Sequence, residues 1–281
     1  MNQFKTYFLL TLLTVLFILV GWALVGKNGA TYALILAGMM NFIAYWFSDK
    51  IVLKMYRARE VAPGEAPELY EIVGELANMA SLPMPKVYMI QSESPNAFAT
   101  GRNPQNAAVA VTTGIMRTLS RNELKGVIGH ELSHIKDRDI LIGTVAATIA
   151  GAIAWIGTMA RWGAIFGGFG DDEDSGGGNL IFVLIVTMLA GVAAMLIQMA
   201  ISRSREYLAD REGALLCRDP RYLANGLRKL DAGTERITLE ANPSTAHLFI
   251  INPLRGRGIV NLFSTHPPIQ ERIRRLEEMT L

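Results

Sequence analysis

Apolar residues in this chain come in blocks. Four windows, Tyr7 to Val25, Thr31 to Phe47, Leu141 to Trp162 and Leu180 to Ile201, carry almost no charge. Each approaches the ~20 residues that a helix rising 1.5 Å per residue needs to cross a ~30 Å hydrocarbon core. The pattern between the blocks is amphipathic. Leu69, Ile72, Val73 and Leu76 recur at helical spacing behind "APGEAP", where Pro67 suits a first turn. "PKVYMI" (85 to 90) and "AAVAVTTG" (107 to 114) read as short strands, and "SPNAFATGRNPQN" between them has turn chemistry throughout. Ser120 with Glu123 three residues on forms a capping box that opens the next helix.

This alternation predicts a mainly α membrane protein with four transmembrane helices and one polar α+β domain built from two chain segments. The boundaries are 1–48 for a first membrane hairpin, 49–140 for the first polar segment, 141–201 for a second hairpin and 202–281 for the second polar segment. Neither polar segment alone is of a size that comfortably buries a core. Lys5 precedes the first window as in a signal peptide, but the apolar run is too long and another window follows at once, which reads as a retained anchor.

Charge sets the orientation. Lys50, Lys54, Arg57 and Arg59 follow the second window, Lys136 and Arg138 precede the third, and Arg203 and Arg205 follow the fourth. The opposite connections hold Lys27, and Arg161 with the acidic "DDEDSGGG" of residues 171 to 178. The positive-inside rule then places both polar segments and both termini in the cytoplasm. A hydrophobic content of 51% fits a bilayer partner, and a net charge of +2 without a basic, aromatic-interleaved stripe argues against nucleic acid. The single cysteine, Cys217, excludes an internal disulfide.

The chemistry concentrates in "HELSH". On a helix His130 and His134 share a face, while Leu124, Ile128, Leu132 and Ile135 occupy another side. Zinc takes neutral imidazoles and an oxygen or thiolate around a tetrahedron, and a catalytic site leaves one position open. Glu131, offset from the pair, is placed to act as a base toward an attacking water. A third ligand is then required downstream: His247, His266 or a helical carboxylate. "SRSREYLADREGA" (202 to 214) puts Glu206 and Asp210 on one face, with Glu206 able to complete the set and Asp210 able to orient an imidazole through its free N–H. A charged face laced with Arg and Glu pairs is the alternative for that helix. Gly143, Ala147 and Gly151, with Ala190 and Ala194, are small residues at four-residue spacing that suit close approach of the third and fourth spans.

"HELSH" followed by an apolar hairpin and "SRSREYLAD", with "NAFATG" upstream and "STHPPIQERIRRL" at the end, resembles the HtpX family of bacterial membrane metalloproteases, relatives of the prenyl-protein endoproteases. The resemblance covers essentially the whole chain. It implies a zincin-like cytoplasmic domain on a multi-pass inner-membrane protein, one Zn2+ per chain, and cleavage of polypeptides, above all misfolded or damaged membrane proteins under stress. His130, His134 and Glu206 would be the zinc ligands, Glu131 the catalytic base, Asp210 a support for a ligand, and His266 a donor facing the scissile carbonyl with Arg272 nearby. Asn96 and Ala97 would meet the substrate backbone, and Ala108, Val109, Ala110 and Val111 would be the edge strand along which an extended peptide lies. His247 receives no role and reads as structural. Two rival functions are prenyl-protein processing and a zinc-dependent adaptor without catalysis; an intact Glu131 speaks against the adaptor, which has no need of a base.

Overall fold

The structure is a computed structural model that describes residues 2–150, 203–236, 245–251 and 267–280. Helix α1 (Asn2–Met55) is apolar along its length and folds back on itself. Gly26 adopts φ +63°, a left-handed conformation that glycine takes without steric penalty. The returning arm is tied to the outgoing one where Asn41 Nδ2 donates to Thr14 Oγ1 at 2.8 Å and to Leu10 O at 3.3 Å. Gly26–Met55 is long and apolar enough to cross a membrane. The third predicted span is described only as α5 (Ile140–Ala150), and the fourth lies outside the described residues.

Beyond α1, β1 (Arg59–Glu60) leads into α2 (Pro67–Met79), β2 (Lys86–Ile90), β3 (Ala97–Gly101) and β4 (Ala107–Thr112). The short helix α3 (Thr113–Thr118) precedes α4 (Arg121–Lys136). After α5 come α6 (Arg203–Cys217), α7 (Pro220–Arg236) and α8 (Ile269–Glu277). The predicted α2 is present, with Leu69, Ile72, Val73 and Leu76 buried. So is the capping box of α4, where Glu123 accepts from the Ser120 N–H at 2.7 Å and from its hydroxyl at 2.8 Å.

The sheet order is β1-β2-β4-β3, with β2 and β4 parallel and the other two pairs antiparallel. Two expectations fail here. "NAFATG" is not a turn: Ala97–Gly101 is strand β3, paired with β4 from Ala97 opposite Val111 to Gly101 opposite Ala107. Consequently β4 is not an edge. Ala108, Val109, Ala110 and Val111 pair on both sides, so no peptide can add to them, and the edge is β3.

The alternation within β4 shows why the strand is buried throughout. Ala107, Val109 and Val111 face the main core with α2 and α4, whereas Ala108 and Ala110 face a second cluster with Val52, Leu53, Phe98, Ala147 and Phe249. One sheet face therefore carries the polar domain's helices, and the other receives the ends of α1 and α5. Both faces being covered, the strand reads as a continuous apolar run. Ala147 is spent on this contact, and a Cβ added at Gly143 would lie 3.2 Å from Leu248 Cδ2. These small residues admit the sheet and the 245–251 segment; Gly151, Ala190 and Ala194 lie outside the described residues.

Candidate metal centre

Helix α4 carries the polar pair on the face turned toward α6. The two backbones approach closely at glycines: a Cβ at Gly213 would sit 2.7 Å from the His130 nitrogen. That approach lets Glu206 and Asp210, both buried on α6, reach the histidine face. His130, His134 and Glu206 each present a ligand atom within 4.8 Å of the others. His130 Nε2 and His134 Nε2 are 3.2 Å apart, and they lie 3.7 and 3.6 Å from the two Glu206 oxygens. A tetrahedron with zinc–ligand bonds of 2.0–2.1 Å has edges of about 3.3 Å, so the triangle fits such an ion.

The outer contacts say which nitrogens are free to ligate. His130 Nδ1 lies 3.0 Å from Asp210 Oδ1. Arg272 grips the same carboxylate with Nε at 2.8 Å and Nη2 at 2.7 Å, and its Nη1 reaches Ile250 O at 3.2 Å. Burial alone would raise Asp210, but Arg272 and His130 hold it down at about 2. An ionised Asp210 keeps the proton on His130 Nδ1 and leaves a lone pair at Nε2. His134 Nδ1 lies 3.5 Å from Asp139 Oδ2. Burial opposes charge on His134, yet the hydrogen bond to Asp139 and the carboxylates of Glu206 and Glu131 outweigh it and push the ring up to about 9. Two buried imidazole nitrogens thus converge beside a carboxylate in a negative field. That arrangement calls for a cation.

Glu131 is buried next to this triangle, and its Oε2 accepts the Ala99 N–H at 2.8 Å. Burial pushes its carboxyl up, against the pull of His130 and His134. Because Ala99 donates away from β4, its main-chain groups face the cleft, which also meets Ile140, Gly143, Arg205 and the 247–250 segment and encloses about 540 Å³ including its open mouth.

Other expected site residues are placed differently. Asn96 is fully buried; its Nδ2 donates to Ile251 O at 2.8 Å and its Oδ1 accepts the Ala97 N–H at 3.1 Å. Ala97 O accepts the Ile250 N–H at 3.1 Å. Both residues do meet a backbone, but it is the chain's own segment 250–251. Arg272, 1% exposed, does not line the cleft but borders the ligand atoms, with Nη2 3.5 Å from His130 Nε2 and Nη1 3.9 Å from a Glu206 oxygen. His247 Nε2 bonds Gly143 O at 3.1 Å, at the wall of the same cleft. His266 lies outside the described residues. Asp139 and Arg205 were not singled out by the sequence, because the turn that returns Asp139 to His134 has no readable signature.

Comparison with known proteins agrees with this geometry. Residues 63–280 match the model of peptidase family M48. The chain is 61% identical over 279 residues to a protease HtpX homolog of Thermodesulfovibrio yellowstonii, covering 99% of each. It is 57% identical over 284 residues to the homolog of Syntrophotalea carbinolica, covering 100% of each. Among solved structures, that of S. mikatae Ste24p shares the fold with a TM-score of 0.53 at 17% identity, over 94% of this chain and 62% of that one. With a ligand triangle and a buried carboxylate inside the matched stretch, the chain belongs to peptidase family M48 and is a metalloprotease.

Proposed function

We propose that this metalloprotease is a zinc-dependent endopeptidase of the bacterial inner membrane that cleaves misfolded or damaged membrane proteins from the cytoplasmic side. The observation that carries the reading is the triangle of His130, His134 and Glu206 with Glu131 beside it at the edge of β3. Those three residues would hold one Zn2+. A bound zinc ion supplies Lewis acidity, polarising a carbonyl oxygen and making water easier to deprotonate.

The chain's own groups do the rest. Glu131 takes the proton of the attacking water and returns it to the leaving amine; its raised affinity for a proton suits that exchange. Asp210, held ionised by Arg272, keeps His130 in the ligating tautomer. With its N–H held by Glu131, Ala99 has its outward carbonyl left for an extended peptide, a contact that reads backbone rather than sequence and suits unfolded substrates. His266, on the resemblance, donates to the developing oxyanion. The charge distribution about the apolar windows supports four spans with both termini and the active site in the cytoplasm, and the apolar Gly26–Met55 arm supports anchoring in the bilayer.

The test incubates the full chain in lipid discs with an unfolded membrane protein, with and without chelator. Wild type should cleave only without chelator. Glu131→Gln should keep its metal and lose about 10²-fold or more in rate, as removal of a positioned base requires. Cleavage at the wild-type rate by metal-loaded Glu131→Gln rejects the assignment.

A further inference from the structure

The support of the second histidine is of a different kind from that of the first. Helix α4 stops at Lys136, and Arg138 adopts φ +58°. The chain doubles back so that the Asp139 N–H donates to His134 O at 2.9 Å. This brings a carboxylate that is 8% exposed against the far side of the His134 ring, with Oδ2 3.5 Å from Nδ1, the outer limit of a direct hydrogen bond. The other oxygen, Oδ1, accepts Arg205 Nη1 at 3.2 Å. Arg205 is the neighbour of Glu206 on α6. It has only donors to offer and cannot itself hold His134 Nδ1–H.

We propose that Asp139 is a positioning residue that clasps two metal ligands at once. One oxygen fixes His134 in the tautomer whose Nε2 can ligate. The other holds Arg205, and with it the turn of α6 that presents Glu206. The proposal rests on reading His130, His134 and Glu206 as the zinc site. It accounts for a feature that Asp210 does not: the links to α4 and α6 come from the first residue after the α4 turn, at the start of α5, so the apolar helix and the ligand geometry share one side chain.

A carboxylate has two acceptor oxygens for these two donors, whereas an amide has one. Asp139→Asn preserves shape, but it must turn either its oxygen or its NH2 toward His134. With Arg205 competing for the oxygen, the NH2 faces His134 Nδ1 and favours the tautomer that cannot ligate through Nε2. Adding Arg205→Met releases the oxygen to His134. The sign of the coupling is therefore fixed in advance.

The experiment titrates Zn2+ against a chromophoric chelator on the full chain in lipid discs, and records melting of each metal-free variant. Wild type and His134→Ala serve as references. Asp139→Asn should bind Zn2+ about 10- to 100-fold more weakly, the range for losing a ligand's outer partner, while its metal-free melting reports separately the lost charge pairing with Arg205. Arg205→Met added to Asp139→Asn should recover at least several-fold of that affinity. Unchanged affinity in Asp139→Asn, or a further loss on adding Arg205→Met, overturns the clasp while leaving the zinc site standing. If His134→Ala binds Zn2+ as tightly as wild type, the zinc-site reading fails and the clasp falls with it.

Discussion

Helix α4 keeps His130, Glu131 and Ser133 almost wholly out of solvent, while α1 leaves Trp22, Tyr32, Ile35 and Phe42 between 57% and 70% exposed. The two helices invert the usual relation between polarity and burial in opposite directions, and the reason differs. A buried polar group is tolerated when each donor and acceptor has a partner. In α4 it does: His130 meets Asp210, Glu131 meets the Ala99 N–H, and Ser133 Oγ donates to Gly129 O at 2.9 Å. Exposed aromatic and aliphatic side chains along a continuous helix call instead for an apolar solvent. Helix α4 is held by partners from distant parts of the chain, and α1 by what surrounds it.

The comparison breaks first at its most expensive contact. Arg272→Met leaves the Asp210 carboxylate buried without its principal cation, which should destabilise the protein by about 3–5 kcal/mol and weaken Zn2+ binding with it; chemical denaturation and zinc titration of the purified full chain measure both. Retention of wild-type stability would mean that the α4 surroundings do not depend on paired charge. On the other side of the comparison, Ile35→Lys places a charge on the exposed face of α1 and should cost about 2.5–3.5 kcal/mol of membrane insertion if that position lies deep in lipid. Leu215→Lys, on the exposed face of α6, should change stability by less than about 0.5 kcal/mol. Membrane partitioning of the two variants side by side sharpens the contrast, and equal partitioning would show that the exposed face of α1 is not a lipid face.

Among the paired charges, a smaller effect lies at the start of α4. Burial would raise the Glu123 carboxyl, but Lys229 and the Ser120 contacts outweigh it and hold the carboxyl below its ordinary value of 4.5. Since its folded value is depressed, its contribution is complete above the unfolded value and disappears as pH falls through the folded one. Glu123→Gln keeps a capping-box acceptor but loses the charge facing Lys229, so it should lower stability by up to about 1 kcal/mol at pH 7, and the gap between the melting curves should close as pH falls through the lowered folded value. A gap that persists once the carboxyl is protonated would assign the loss to packing rather than to the charge.

Much of this was legible in advance for local reasons. The α2 face, the capping box at Ser120 and the shared face of His130 and His134 are consequences of helical periodicity and chain-local hydrogen bonds. The strand β3 was not: "NAFATG" lacks a run of β-branched residues and is flanked by turn formers, and it becomes a strand because β4 offers it a ladder and Phe98 fills the cluster beneath. The edge was misplaced for the same reason, since which strand lies outermost depends on pairing between segments that no window of sequence contains. Resemblance points Asn96 toward the substrate, whereas packing spends its side chain on the chain's own Ile251; Arg272 is buried yet borders the ligand atoms.

The sequence by itself determined the apolar blocks, the α4 helix with its two imidazoles and carboxylate, and the pairing of Glu206 with Asp210 on one face, because each follows from a repeat of 3.6 residues or from a run long enough to span a bilayer. Only the tertiary structure decided that Glu206 meets those imidazoles, that β3 rather than β4 lies outermost in the sheet, and that Asp139 turns back onto His134. Those choices depend on backbones brought together across Gly129 and Gly213 and on a left-handed turn at Arg138, where the energy lies in contacts between segments far apart in the chain rather than in the propensities of either one.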